Sequence, residues 1–103
     1  VKPKKPLKNA PPAHLTAAAK RLWDQLQADF VLDDAAGRLL LQSALEAWDR
    51  QQQARQTIAD EGAVVRDRWN QLKANPAVGI ERDARTQLHS ALRLLKLEPG
   101  ALA

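Results

Sequence analysis

The chain has 103 residues, enough for one domain with a modest core, and its 16 lysines and arginines outnumber its 12 acids for a formal charge of +4. It contains no cysteine, which excludes a disulfide framework and a thiolate metal site. No stretch approaches the roughly 20 apolar residues of a membrane span and no apolar signal segment follows the start, so no membrane association and a soluble, intracellular protein are expected. The first residue is Val1 rather than methionine, and the chain is expected to be part of a longer one.

The opening VKPKKPLKNAPPAHLT holds Lys2, Lys4, Lys5 and Lys8 and no acid. Pro3, Pro6, Pro11 and Pro12 disfavour helix and leave residues 1–14 as an extended or disordered arm. Residues 13–103 carry 12 charges of each sign, so the whole excess belongs to the arm. Clustered cations displace counterions condensed on phosphates, which makes a basic arm on a balanced body a pattern for nucleic-acid binding. The plain alternative is a solvated linker.

Residues 15–100 read as a helical domain, with 101–103 as a tail. Leu15, Ala19, Leu22, Trp23, Leu26 and Phe30 recur at three- and four-residue intervals behind Thr16, a suitable N-cap, and predict a first helix over about 16–29. A second helix is expected from Asp33 or Asp34 to Gly62, about 42 Å if 34–61 is continuous. Gly37 in its first turn costs about 1 kcal/mol without stopping it. Ala36, Leu40, Ala44, Ala47, Ala54 and Ile58 form one apolar face, and Leu41, Leu45, Trp48 and Ala59 form another beside it. Two shorter helices cover only part of that arc, so self-association through Leu41, Leu45, Trp48 and Ala59 is expected. The alternative is a monomeric bundle in which the first and third helices cover both faces.

In AVVRDRWNQLKAN the valines lead, Asp67 to Asn70 turn and Gln71 to Lys73 return, which reads as a small β-hairpin. Asn75-Pro76 then caps and starts a third helix over about 76–96, closed by LEPG. Ala77, Ile80, Ala84, Leu88, Ala91, Leu92 and Leu95 share its apolar face, while Arg82, Arg85, His89, Arg93 and Lys96 line the opposite one with no acid in the stripe. That stripe is a phosphate surface or a solvated, salt-bridged face.

Two helices joined by a short turn invite a helix-turn-helix reading, but Asp33 and Asp34 stand where such a helix would meet phosphates. Backbone contact through Lys2, Lys4, Lys5, Lys8, Lys20, Arg21, Arg66, Arg68, Lys73, Arg82, Arg85 and Arg93 is the favoured DNA-binding reading. Catalytic signatures are missing: His14 and His89 are the only histidines, and no glycine-rich phosphate loop or HExxH pattern occurs. No enzyme activity, cofactor or metal is expected. Trp23 and Trp48 lie on apolar faces and read as core, whereas Trp69 reads as a lid over the helix junction, with base stacking as its alternative.

The order of the basic Pro-rich start, PPAHLTAAAKRLWDQL, the long helix ending TIADEG, the connection VVRDRWNQLKANPAV and LHSALRLLKLEPG resembles the small terminase subunits of tailed double-stranded DNA bacteriophages over about residues 11–100. The elements read above make a mainly α fold, a three-helix subunit with a long central helix and a small hairpin, and the resemblance implies that it assembles into a homo-oligomeric ring. It implies a non-enzymatic packaging factor whose partners are double-stranded viral DNA and a large terminase subunit, working in the cytoplasm of the infected bacterial host. The acidic start of the second helix departs from the DNA-reading helix-turn-helix of some small terminases. From a different class, a helical protein-interaction adaptor with a basic linker arm is the competing reading.

Overall fold

Each helix begins where a side chain satisfies backbone N–H groups that the first turn leaves unpaired. Residues 10–30 and 32–97 are described by the structure, a computed structural model. Helix α1 spans Ala17–Asp29, and Thr16 Oγ1 accepts from the Ala19 amide at 3.2 Å. Helix α2 spans Ala35–Glu61. Of the two candidate caps Asp34 takes the role, accepting from the Gly37 amide at 3.2 Å. A Cβ at position 37 would stand 2.7 Å from Asp34 Oδ1, so the capping carboxylate accounts for the glycine in this first turn. The helix stops at Gly62, whose φ of 92° is strained for any residue with a side chain.

Strands β1 (Val64–Arg66) and β2 (Leu72–Ala74) form an antiparallel hairpin in which Val64 faces Ala74, Val65 faces Lys73 and Arg66 faces Leu72. Asn75 is buried at its base and holds three elements together. Its Nδ2 donates to the Gly62 carbonyl at 2.9 Å, its amide donates to Ala63 O at 2.8 Å, and its Oδ1 caps α3 by accepting from Ala77 N at 3.0 Å. Helix α3 spans Pro76–Leu94 with proline in the first turn, where a missing N–H costs nothing. It ends two residues short of the expected 96 because Lys96 takes a left-handed φ of 60° and Leu97 N donates back to Leu92 O at 2.9 Å, a Schellman closure.

The hairpin returns α3 along α2, and the two pack through small residues. Ala44, Ala47 and Ala54 of α2 and Ala77, Ala84 and Ala91 of α3 are all buried, the latter three repeating every seven residues as an antiparallel helix seam requires. Leu15, Ala19 and Trp23 from the α1 region pack with Leu32, Leu41 and Leu45 in a core that Leu95 and Leu97 also cover. Large side chains thus gather at one end and alanines run toward the hairpin. The molecule measures 61 × 40 × 20 Å, and its radius of gyration of 17.4 Å exceeds the about 13 Å of a compact chain this long.

This packing corrects the expectation about α2. Leu41 and Leu45 are 0% and 2% exposed within the single chain and Trp48 packs partly buried on the same core, so these residues are not surface offered to a copy. The reason is that α1 covers one apolar face of α2 while α3 follows the other. Ala59 does remain exposed. The large apolar side chains left in solvent lie elsewhere among the described residues: Leu39 on α2, Val64, Trp69 and Leu72 on the hairpin, Val78 and Ile80 at the start of α3, and Leu94 at its end. Ile80, expected on the inner face, is 52% exposed because the seam follows the alanines.

Candidate nucleic-acid interface

The hairpin turn is ordered by its own sequence. Asp67 N donates to Gln71 O and Asn70 N to Asp67 O, both at 2.9 Å, and Asn70 closes the loop with a φ of 62°, a left-handed conformation that asparagine tolerates. The Asp67 carboxylate turns inward, its Oδ1 accepting from Trp69 N at 2.9 Å and Gln71 N at 3.0 Å. Arg66 reaches across to the Asn70 carbonyl at 2.9 Å.

This turn presents Arg68 and Trp69 outward, with the guanidinium carbon 4.2 Å from the indole centroid. Trp69 is 66% exposed, so it is not the lid over the helix junction that its type suggested. The pleat puts Val64, Arg66, Leu72 and Ala74 on one face of the ribbon and Val65 with Lys73 on the other.

Along α3 the side chains of Arg82, Arg85, His89 and Arg93 are exposed, a row about 16 Å long at 1.5 Å per residue, and Lys96 is exposed just beyond the end of the helix. Its first members are partly compensated: Arg82 Nε lies 3.5 Å from Asp83 Oδ1, and Arg85 lies 3.8 Å from Glu81. No ion pair is formed by Arg93 or Lys96 among the described residues. The row leads from the hairpin end of the molecule to the core against α1, where Leu95 packs.

Of the remaining candidates, Arg21 on α1 is exposed and Lys20 is half-buried. Lys2, Lys4, Lys5 and Lys8 lie outside the described residues. The chain enters at Ala10 and Pro12, which line a cleft of about 540 Å³ with Trp23, Ala35, Arg38 and Leu39 at the start of α2. The arm therefore joins the body at the opposite end of α2 from the hairpin. Asp33 and Asp34 are exposed at that same end, and Arg38 Nη1 donates to the Asp33 carbonyl rather than to a carboxylate. Among the described residues the cations of α3 and the hairpin form a helical row and a hairpin tip, and the start of α2 carries Asp33 and Asp34.

Sequence reading missed the polar contacts that fix these elements. His14 Nε2 meets Glu46 Oε2 at 2.7 Å, and Asp49 accepts from both the Thr16 hydroxyl at 2.6 Å and its amide at 3.1 Å, which pins the start of α1 to α2. Between α2 and α3, buried Gln51 donates to Glu81 Oε1 at 3.1 Å, with Arg55 Nε 3.7 Å from the same oxygen. The Gln51 hydrogen bond first, then Arg85 and Arg55, holds the Glu81 carboxyl below its ordinary value against the opposing effect of burial. No signal in the sequence joins such distant partners.

Among the described residues no group of three or more His, Cys, Asp or Glu side chains could hold a metal ion. No described helix is long and apolar enough to cross a membrane. No curated protein and no solved structure matches the chain. The sequence model of the family described as phage terminase, small subunit, matches residues 17–102, from the first residue of α1 to beyond α3. The chain therefore belongs to the phage terminase small subunit family and has its role in phage DNA packaging.

Proposed function

We propose that the protein is a packaging factor that self-associates, holds duplex viral DNA mainly by its phosphates, and delivers that DNA to the large terminase subunit in the cytoplasm of the infected host. It acts by binding and not by catalysis. The observation that carries this reading is the exposed row Arg82, Arg85, His89, Arg93 and Lys96, whose far end has no acid paired to it among the described residues. The lysines of the 1–14 arm add four cations by sequence, and Lys20, Arg21, Arg66, Arg68 and Lys73 add contacts at the two ends of the row. Self-association then uses Leu39, Val78, Ile80 and Leu94, the apolar side chains that α1 and α3 leave in solvent. An assembly multiplies weak phosphate contacts through effective concentration.

Fluorescence anisotropy of a labelled duplex across a series of salt concentrations tests the DNA-binding part. The expected result is an affinity that falls steeply and log-linearly with salt. No binding at about 50 mM salt would overturn it and favour a protein-interaction adaptor with a linker arm, a reading that draws on the same exposed apolar residues.

A further inference from the structure

We propose that the β1–β2 hairpin is a DNA-inserting tip, in which Trp69 stacks against the bases of duplex DNA while Arg66, Arg68 and Lys73 hold the flanking phosphates. This rests on the reading of the chain as a DNA binder and adds to it an element that engages more than the backbone.

The chain has three tryptophans and one phenylalanine. Trp23 is buried, and Trp48 and Phe30 pack against the same core. Leaving an indole in water forfeits the burial that aromatics ordinarily gain, so Trp69 on an ordered turn points to a ligand. Five hydrogen bonds within residues 66–71 fix that turn before any partner arrives. Little ordering entropy then remains to be lost on binding.

Charge selects the partner. Asp67 is the only acid between Glu61 and Glu81, and its carboxylate is turned onto two backbone amides, while Arg66, Arg68 and Lys73 are exposed. The tip therefore offers a polyanion three exposed cations against one carboxylate that is tied to its own backbone. A two-stranded ribbon is also one of the two elements that a B-DNA groove admits. Tryptophan stacks on any base because every base has a π-face, and side chains inserted at base steps unstack them most easily at flexible pyrimidine–purine steps. Arg68 already lies over the indole, so its charge arrives with the ring.

The test uses the full chain with Trp69→Ala and Trp69→Phe, a labelled duplex, and native mass spectrometry of each variant. Trp69 contributes little to the core, so the thermal melts of both variants should match the wild type. Trp69→Ala is expected to weaken duplex binding by about 5- to 150-fold with an unchanged salt slope, since one stack and no charge is lost. Trp69→Phe should retain most of the affinity. Duplex should quench the exposed tryptophan fluorescence of the wild type and leave that of Trp69→Phe unaffected. A Trp69→Ala protein that binds duplex as well as the wild type overturns the insertion. So does one that loses only its assembly, which would assign the tip to a neighbouring copy. A wild type without affinity for DNA would instead defeat the proposed function as a whole.

Discussion

Gln51 on α2 donates its buried side-chain amide to Glu81 on α3, 3.1 Å across a seam whose buried α3 residues are alanines. Alanine against alanine permits several registers, whereas a desolvated amide is satisfied in only one, so this pair fixes how α3 lies along α2. Because the contact also lowers the Glu81 pKa, it links stability to acid. A lowered carboxyl contributes stability that is full above the ordinary glutamate pKa of about 4.3 and is lost as pH falls through the folded value. Urea unfolding of wild type and Glu81→Gln at pH 7 and pH 3 should show a smaller gap at the lower pH, and an equal gap at both would contradict the link.

The seam itself tolerates no bulk. Ala84 is 2% exposed at its centre, and Ala84→Leu should cost about 1–3 kcal/mol by overpacking. Ile80→Ala, four residues earlier, should change the stability of a single copy by less than about 0.5 kcal/mol, since its side chain stands mostly in water. Denaturant midpoints of the two variants decide between this seam and one that runs through Ile80.

At the other end Thr16 both caps α1 and donates to Asp49 of α2. Thr16→Val keeps the shape and removes the hydroxyl, and should cost about 1–2 kcal/mol. For a domain of this size that is a fall of about 4–16 °C in melting temperature, read by circular dichroism. An unchanged melt would mean that α1 docks through its apolar face alone.

What could be read from the sequence was what local chemistry decides. Thr16, Asp34, Gly62 and Asn75-Pro76 each act on backbone groups within four residues, so the bounds of α1 and α2 and the start of α3 followed from them within about one residue. The same holds for the hairpin, where Asp67 and Asn70 close their own turn. Decisions that depend on what packs against a helix were not legible. A helical wheel places Leu41, Leu45 and Ile80 on apolar faces, but only the docking of α1 and the seven-residue alanine spacing bury the first two and expose the third. Trp69 reads as a lid until the turn is seen to aim it outward. Thr16 with Asp49 and Gln51 with Glu81 lie 33 and 30 residues apart, without a motif to join them.

The cations of the arm and of α3 predict a graded response to salt. Each phosphate contact contributes about 0.9 to the logarithmic salt slope, so deleting residues 1–12 should flatten it by about 3.6 per engaged arm. Neutralising Arg93 and Lys96 together should flatten it by about 1.8. A slope indifferent to both changes would remove these surfaces from DNA binding.

Native mass spectrometry of the full chain mixed with a short duplex bears most directly on the central claim that copies of this subunit assemble to hold phage DNA. One oligomeric species carrying duplex is expected. Monomers free of DNA at micromolar concentration would contradict it.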